Sequence, residues 1–220
     1  SRHRQRTSWA YLTQKDNSKD FRVPRIQINI NMRQYVQIVT EAKKKQRPSD
    51  IEIIPLNFEA KQVKPVLSKD TLDLHYDKLA KGYATRYNNK EGDAEFNYAG
   101  AFLHNVYFPQ FRQVRPNNVP NGPIANFINK KFGSFVEFQK EFEVNAMGIQ
   151  GSGWVYLSHS GTIKTIENHE VRDDILLLID WWEHAFICDY GSDKKKYLKE
   201  TWKIINWNVI STRWGHSIRT

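Results

Sequence analysis

The segment from Asp180 to His184 carries residue types that suit metal binding. It follows an apolar run, Ile175 to Ile179, that is typical of a buried strand. A carboxylate at the end of a strand and an imidazole four residues later can ligate the same metal ion, because both side chains can face one point. A surface aspartate beside an unrelated histidine would give the same pattern, so this pair by itself indicates only a candidate site.

Two further histidines lie in stretches with helical spacing of apolar residues. His75 is preceded by Leu72 and Leu74, and His104 lies between apolar residues of the segment from Phe96 to Phe108. Imidazoles on helices that pack against the strand ending at Asp180 could complete a metal site. The alternative for each is a buried histidine that is satisfied by one hydrogen bond.

The elements that must position these residues are helices in the first part of the chain. Apolar spacing predicts a long helical segment from Pro65 to Tyr83 and a second helical stretch over Phe96 to Phe108. Four prolines between residues 109 and 123 end the second stretch, so the two can pair as an α-hairpin. A further set of phenylalanines from Phe127 to Phe142 recurs at roughly helical intervals.

Strand patterns follow in the second part of the chain. Trp154 to His159 and Thr162 to Ile166 flank Ser160-Gly161, which is typical of a hairpin turn, and Ile175 to Ile179 supplies a third strand. The segment from Lys195 to Trp207 has helical spacing. The sequence therefore predicts an α+β fold: an N-terminal α-hairpin domain over residues 51–115, and a three-stranded antiparallel sheet with surrounding helices over residues 124–214.

The net charge of +9 is concentrated at the start of the chain. Residues 1–50 hold 12 Lys and Arg against 4 Asp and Glu, whereas residues 51–220 hold 21 against 20. Residues 1–50 are therefore predicted to be a basic N-terminal extension. Its alternating segment from Ile26 to Met32 favours a short strand, and a disordered extension is the alternative. No apolar run approaches 18 residues, so no membrane span is predicted, and the single Cys188 fits a reducing compartment.

In combination, these motifs resemble the iron/manganese superoxide dismutase family over most of residues 51–214. His75 is followed by Tyr83 eight residues later, and Phe96 precedes His104 by eight residues, as in the two ligand helices of the family. Other matching segments are Pro55–Phe58, Gly148–Trp154, Asp180–Ala185, Tyr197–Leu198, Trp202 and Ile205–Trp207.

The resemblance implies a ligand set and a reaction. His75, His104, Asp180 and His184 would hold one metal ion per chain, and superoxide would be converted to oxygen and hydrogen peroxide.

The resemblance also implies roles around the ligands. Gln150 would hydrogen-bond the solvent ligand of the metal, Tyr83 would guard the entrance, and Trp182 would pack against the site. Without the resemblance, Gln150 would be a turn residue, and Tyr83 and Trp182 would be core aromatics.

Metal identity depends on two positions. The family's manganese-type pattern combines a glutamine from the segment matched by Gly148 to Gly153 with a glycine four residues before the second histidine. Gln150 and Gly100 match this pattern, so manganese is predicted, with iron as the alternative.

The chain departs from the family where two subunits meet. Glu183 matches a glutamate that joins the active sites of family dimers, so a homodimer through Glu183 is predicted. A polar pair of the family interface is replaced by Leu79 and Ile187, and apolar residues can keep such an interface stable. A funnel arginine is replaced by Lys194, which keeps the charge but loses the planar guanidinium.

Two functions are compatible with these features. The first is a working superoxide dismutase, placed in the mitochondrial matrix by the manganese-type pattern and the basic start. The second is a dismutase-fold structural subunit of a large mitochondrial assembly, namely the small subunit of the mitochondrial ribosome. In that case residues 1–50 would contact ribosomal RNA or protein, since their charge suits phosphate neutralisation.

Overall fold

The structure is a computed structural model and describes residues 47–217. Its first part is helical: a short helix, α1, spans Ala60–Val63, and a long continuous helix begins at Lys69. That helix consists of α2 (Lys69–Leu72), a π-helical segment (Asp73–Ala80) and α3 (Lys81–Asn88). The next helix, α4, spans Ala94–Tyr107 and packs antiparallel to it as the predicted hairpin.

Local signals in the sequence set the bounds of these two helices. The Ser68 hydroxyl accepts a hydrogen bond from the Thr71 backbone N–H, and the Asp93 carboxylate accepts one from the Phe96 N–H. Both side chains therefore satisfy amide groups that the first turn of a helix leaves free. Pro109 lies in a short 3-10 turn after α4, where it does not interrupt an α-helical hydrogen bond.

A three-stranded antiparallel sheet forms the second part. Strands β1 (Gly153–Ser158), β2 (Ile163–Glu167) and β3 (Ile175–Asp180) are arranged in the order β2-β1-β3. Trp154 of the central strand pairs with Ile166 on one side and with Asp180 on the other. All residues of β1 and β3 are buried, because helices cover both faces, and this explains the uninterrupted apolar run before Asp180.

Helices surround the sheet. The elements outside the hairpin are α5 (Gly122–Phe132), α6 (Phe135–Met147), α7 (Ile187–Tyr190), α8 (Lys194–Thr201) and α9 (Trp207–Ser217). Helix α4 contacts β3, and α6 contacts β1 and β2, so the sheet lies between helical layers.

The predicted α+β fold is confirmed, with differences in the helices. The long helix begins at Lys69 rather than at Pro65, and the phenylalanine-rich stretch is two helices that are separated at Gly133, whose φ of +86° favours glycine. The helix predicted from Lys195 to Trp207 ends at Thr201, and α9 was not predicted.

Some predictions about organisation stay predictions. The domain limits at residues 51–115 and 124–214 are not tested, and most of the basic extension, with its Ile26–Met32 strand, lies outside the described residues. Within residues 47–217, no helix has both the length and the apolar character needed to cross a bilayer.

Candidate metal centre

Three imidazoles and one carboxylate converge where the helical hairpin meets the sheet. One ligand-type atom from each of His75, His104, Asp180 and His184 lies within 4.8 Å of every other. Asp180 Oδ2 is 3.0 Å from His75 Nε2, 3.3 Å from His184 Nε2 and 3.8 Å from His104 Nε2. Such spacing lets one ion contact all four side chains, so the structure brings together the four predicted ligands.

The π-helical segment positions His75. A π-helix is rare, it widens the turn by one residue, and it occurs mainly at functional sites. Here it spans Asp73–Ala80 within a long α-helix and holds the His75 side chain fully buried against Asp180.

A hydrogen bond within α4 sets the tautomer of His104. The Nδ1 atom of His104 lies 2.6 Å from the Gly100 carbonyl oxygen. Because a carbonyl only accepts, Nδ1 must carry the hydrogen, and Nε2 is left with a free lone pair. This is the usual arrangement of a metal-ligating histidine, whose second nitrogen is held by a backbone carbonyl.

Backbone contacts fix the carboxylate at the end of β3. Asp180 Oδ1 accepts a hydrogen bond of 2.8 Å from the Trp182 N–H, which leaves Oδ2 facing the three imidazoles. The Asp180 carbonyl accepts a bond of 3.1 Å from the Tyr197 hydroxyl. His184 follows in a 3-10 turn, Glu183–Ala185, and is the one ligand whose side chain is partly exposed, at 12%.

Electrostatics favour the protonation states that metal ligation requires. Burial lowers the pKa of His75 to about 4 and that of His104 well below its usual value, so both imidazoles are neutral at pH 7. Burial alone would raise the pKa of Asp180, but His184 and His75 together outweigh it, so the pKa is lowered and the carboxylate is ionised.

The ligand atoms themselves are short of hydrogen-bond partners. Within residues 47–217, the buried Nε2 atoms of His75 and His104 lack a partner with hydrogen-bond geometry. Neutral imidazoles with free lone pairs beside a carboxylate suit iron, manganese or zinc. The residues present therefore fit a transition-metal ion.

Two of the three predicted outer residues lie beside the ligands. The ring centroid of the buried Tyr83 is 5.6 Å from that of His104, and burial raises the pKa of Tyr83 to about 12. Trp182 stacks on His184 with 5.7 Å between ring centroids and an angle of 29°. Their roles in catalysis stay predictions, but their positions suit them.

The third predicted outer residue, Gln150, is not brought to the centre. It is exposed and borders a surface depression together with Asn145, Thr165 and Glu167. No hydrogen bond joins Gln150 to a ligand in the part of the chain that the structure describes. The glycine-rich segment turns before β1, with Gly151 at φ +80°, and this turn leaves Gln150 on the surface.

His169, which the sequence analysis did not select, lies where Gln150 was expected. Its ring centroid is 6.2 Å from that of His104, 4.8 Å from that of Tyr83 and 4.6 Å from that of Trp182, on which it stacks. Only 9% of His169 is exposed. Burial lowers its pKa to about 4, so the ring is neutral at pH 7.

The tautomer of His169 follows from its contact with Trp154. The indole Nε1–H of Trp154 donates a hydrogen bond of 3.1 Å to His169 Nδ1. Since an indole nitrogen only donates, Nδ1 is the acceptor and Nε2 carries the hydrogen. That buried Nε2–H lacks a partner among the described residues, so the centre contains a free hydrogen-bond donor.

Gly100 allows Tyr83 to pack closely against α4. A Cβ atom at Gly100 would lie 2.8 Å from Tyr83 Cγ, closer than real contacts allow. A side chain at this position is thus incompatible with the observed place of Tyr83.

The positions that were compared with the family's dimer interface and funnel differ in their exposure. Glu183 is exposed, Ile187 is 46% exposed and Leu79 is half-buried. The Lys194 ammonium lies 5.7 Å from the ring centroid of Trp181 and 5.5 Å from that of Phe186. These positions leave the predicted homodimer as a prediction.

Comparison with known proteins identifies relatives along most of the chain. Residues 120–213 match the family described as iron/manganese superoxide dismutases, C-terminal domain. A manganese/iron superoxide dismutase of Porphyromonas gingivalis is 33% identical over 189 residues, which cover 74% of this chain and 98% of the relative. An iron superoxide dismutase of Bacteroides fragilis has the same identity and coverage.

A third relative is similar over the same share of this chain. An iron superoxide dismutase of Tetrahymena pyriformis is 31% identical over 195 residues, which cover 74% of this chain and the whole of the relative. These matches cover about three quarters of the chain rather than one short motif. From the convergence of His75, His104, Asp180 and His184 and from these relatives, we conclude that the chain belongs to the iron/manganese superoxide dismutase family.

Proposed function

We propose that this chain is a superoxide dismutase that converts two superoxide anions and two protons to oxygen and hydrogen peroxide. The observation that carries the proposal is the convergence of three imidazoles and one carboxylate, of which His75, His104 and Asp180 are fully buried. Relatives at 31–33% identity are named as iron or manganese/iron superoxide dismutases.

His75, His104, Asp180 and His184 would hold the ion. When bound, iron or manganese supplies the one-electron acceptor and the one-electron donor that the two half-reactions need. The protein has to bind a small anion, exclude other reactants and deliver protons. Partial exposure of His184 and Trp182 places the approach to the centre on their side.

His169 would hydrogen-bond the solvent ligand of the metal. Its Nε2–H is a preformed donor whose direction is fixed by the Trp154 bond and by stacking on Trp182. A neutral buried donor costs no reorganisation when negative charge arrives. We assign to His169 the role that was predicted for Gln150.

The Tyr83 hydroxyl would supply a second hydrogen-bond donor beside the metal ligands, in addition to His169 Nε2–H. Because burial raises its pKa to about 12, the phenol remains protonated at neutral pH and can donate a hydrogen bond. Its ring contacts both His104 and His169, so its hydroxyl belongs to the same enclosure.

Manganese remains the predicted metal, with iron as the alternative. Of the two positions behind that prediction, Gly100 matches the manganese-type pattern, while Gln150 lies outside the centre. The preference for manganese over iron therefore depends on Gly100 alone. Imidazole and carboxylate ligands suit both metals, so the ligand set does not separate them.

Metal analysis combined with a dismutase assay tests the proposal. The full chain is produced with supplementary manganese or iron, and bound metal, thermal midpoint and superoxide removal are measured. We expect one ion per chain, a raised midpoint and activity. His184→Gln should abolish all three, whereas the control His159→Gln, outside the ligand set, should preserve them. Full metal occupancy without superoxide removal would contradict the proposed dismutase activity. Failure to bind either metal would contradict the proposed metal site.

Partners and location also remain proposals. Glu183 is exposed, which is compatible with a homodimer through that face. We keep the mitochondrial matrix as the proposed location. The alternative of a structural subunit in the small subunit of the mitochondrial ribosome depends on residues 1–50, and the described residues add no observation in its favour. Loss of ribosome co-sedimentation on removal of residues 1–50 would support it.

A further inference from the structure

A cation lies one aromatic ring away from the metal centre. The guanidinium carbon of Arg86, on α3, is 4.9 Å from the ring centroid of Tyr83. The Tyr83 ring centroid is in turn 5.6 Å from that of His104. Arg86 is half-buried, so its charge is screened less than that of a fully exposed side chain.

A neutral partner fixes the guanidinium. Arg86 Nε donates a hydrogen bond of 3.0 Å to Asn97 Oδ1, and the Asn97 amide donates one of 2.9 Å to the Glu91 carbonyl. The remaining guanidinium N–H groups are not engaged by a carboxylate within the described part of the chain. The positive charge is thus held in place without being neutralised by a described acidic group.

The other cation near the centre has a different environment. Lys194, which replaces the funnel arginine of the family, lies beside the rings of Trp181 and Phe186. Arg86 alone, among the described cations, stacks on Tyr83, the ring that borders both His104 and His169. It is therefore the positive charge that an anion meets on the Tyr83 side.

We propose that Arg86 attracts the anionic substrate toward the metal centre from the Tyr83 side. This inference rests on the proposed dismutase function, because superoxide carries one negative charge and the centre already contains the Asp180 carboxylate. A fixed cation near the centre raises the local concentration of a small anion and accelerates its association. The effect must weaken as salt screens the charge.

Azide binding tests the inference without requiring turnover. Azide is a small monovalent anion whose binding changes the absorption of bound iron or manganese, so its affinity is measured by optical titration of the metal-loaded full chain. We expect Arg86→Gln to weaken azide binding by about 3- to 10-fold at low ionic strength and to flatten its salt dependence, as expected for loss of one steering charge.

Two variants separate charge from structure. Arg86→Lys retains the charge but loses the planar stacking on Tyr83, and we expect azide affinity within about 2-fold of the original. Lys130→Gln removes an exposed charge on α5 and should leave affinity and salt dependence unchanged. If Arg86→Gln does not fold, Arg86→Met, which also removes the charge, takes its place in the same titration.

The outcomes distinguish this inference from the proposed function. Unchanged azide affinity in Arg86→Gln, or a loss in Arg86→Lys as large as that in Arg86→Gln, would overturn the role of the charge. If the metal-loaded protein binds azide with the expected dependence on Arg86 but removes no superoxide, the dismutase proposal fails while the anion-attracting role of Arg86 stands. If activity is present and kcat/KM responds to salt equally in both proteins, Arg86 has no steering role.

Discussion

Replacing Gly100 by alanine should force Tyr83 away from the metal centre. The new Cβ would lie 2.8 Å from Tyr83 Cγ and 3.0 Å from both Cδ atoms. Retreat of the ring is restricted, because four other side chains contact it. They are Phe96, His104, His169 and Arg86.

The expected change in the free energy of unfolding of Gly100→Ala combines two opposing effects. Overpacking a close-packed core costs about 1–3 kcal/mol. Alanine in a helix interior is better than glycine by about 0.5–1 kcal/mol, so Gly100→Ala should lower the free energy of unfolding by about 1 kcal/mol net. Gly215→Ala is the matched control, because Gly215 lies in α9 and a Cβ there meets no atom within 4 Å. It should keep stability unchanged or increase it by up to about 1 kcal/mol.

Urea unfolding of the two variants under identical metal conditions measures the energetic cost of the clash between position 100 and Tyr83. The difference between Gly100→Ala and Gly215→Ala should equal the overpacking cost of about 1–3 kcal/mol. Gly100→Ala should also lose dismutase activity, since the displaced Tyr83 ring would disturb His104 and His169. Equal stability changes in the two variants, with activity retained, would refute the proposed contact between position 100 and Tyr83.

Further outcomes follow from the buried polar groups. Burial lowers the pKa of His75 and His169 to about 4, against about 6.5 when unfolded. The unfolded chain therefore binds more protons between those values, and the metal-free protein should lose on the order of 3 kcal/mol per histidine as pH falls from 6.5 to 4. Urea midpoints that stay constant over this range would contradict this expectation. His169→Ala should reduce dismutase activity by about 10- to 100-fold, as for other groups that support metal ligands, while His169→Gln, which keeps an N–H donor, should lose less. Equal losses would show that the donor is unimportant. Arg213→Met should destabilise the fold by about 3 kcal/mol because it leaves buried carbonyls unpaired, whereas Lys199→Met on the surface should change the urea midpoint little; similar midpoints would exclude a role for the guanidinium.

The sheet was predictable because its signals are local. Alternation and apolar runs placed each strand within one or two residues, and Gly161, at φ +80°, closes the hairpin as expected. Helix ends were less predictable. The phenylalanine spacing continues past Gly133 although the helix does not, since one positive φ interrupts the backbone without changing the apolar pattern.

The position of His169 beside the metal ligands was predictable in principle from the same hairpin. With the turn at Ser160-Gly161, antiparallel pairing places the end of β2 beside Trp154, and Trp154 also pairs with Asp180. A histidine two residues after β2 must then lie at the sheet end that carries the metal ligand. Gln150 was predicted from the match of one sequence segment alone. The register of β1 and β2 indicates that His169 is the residue beside the ligands.

The buried Arg213 connects the two halves of the site. Its Nη2 donates to the Val106 carbonyl at 2.6 Å, two residues after His104, and its Nη1 donates to the Leu176 carbonyl at 2.9 Å, in the strand that ends at Asp180. Helix α9, which carries Arg213, thus joins the helix and the strand that supply two of the ligands. Because these ligands come from separate elements, their spacing depends on how α4 packs against β3. A residue distant from the metal ligands in sequence therefore helps to set the geometry of the centre.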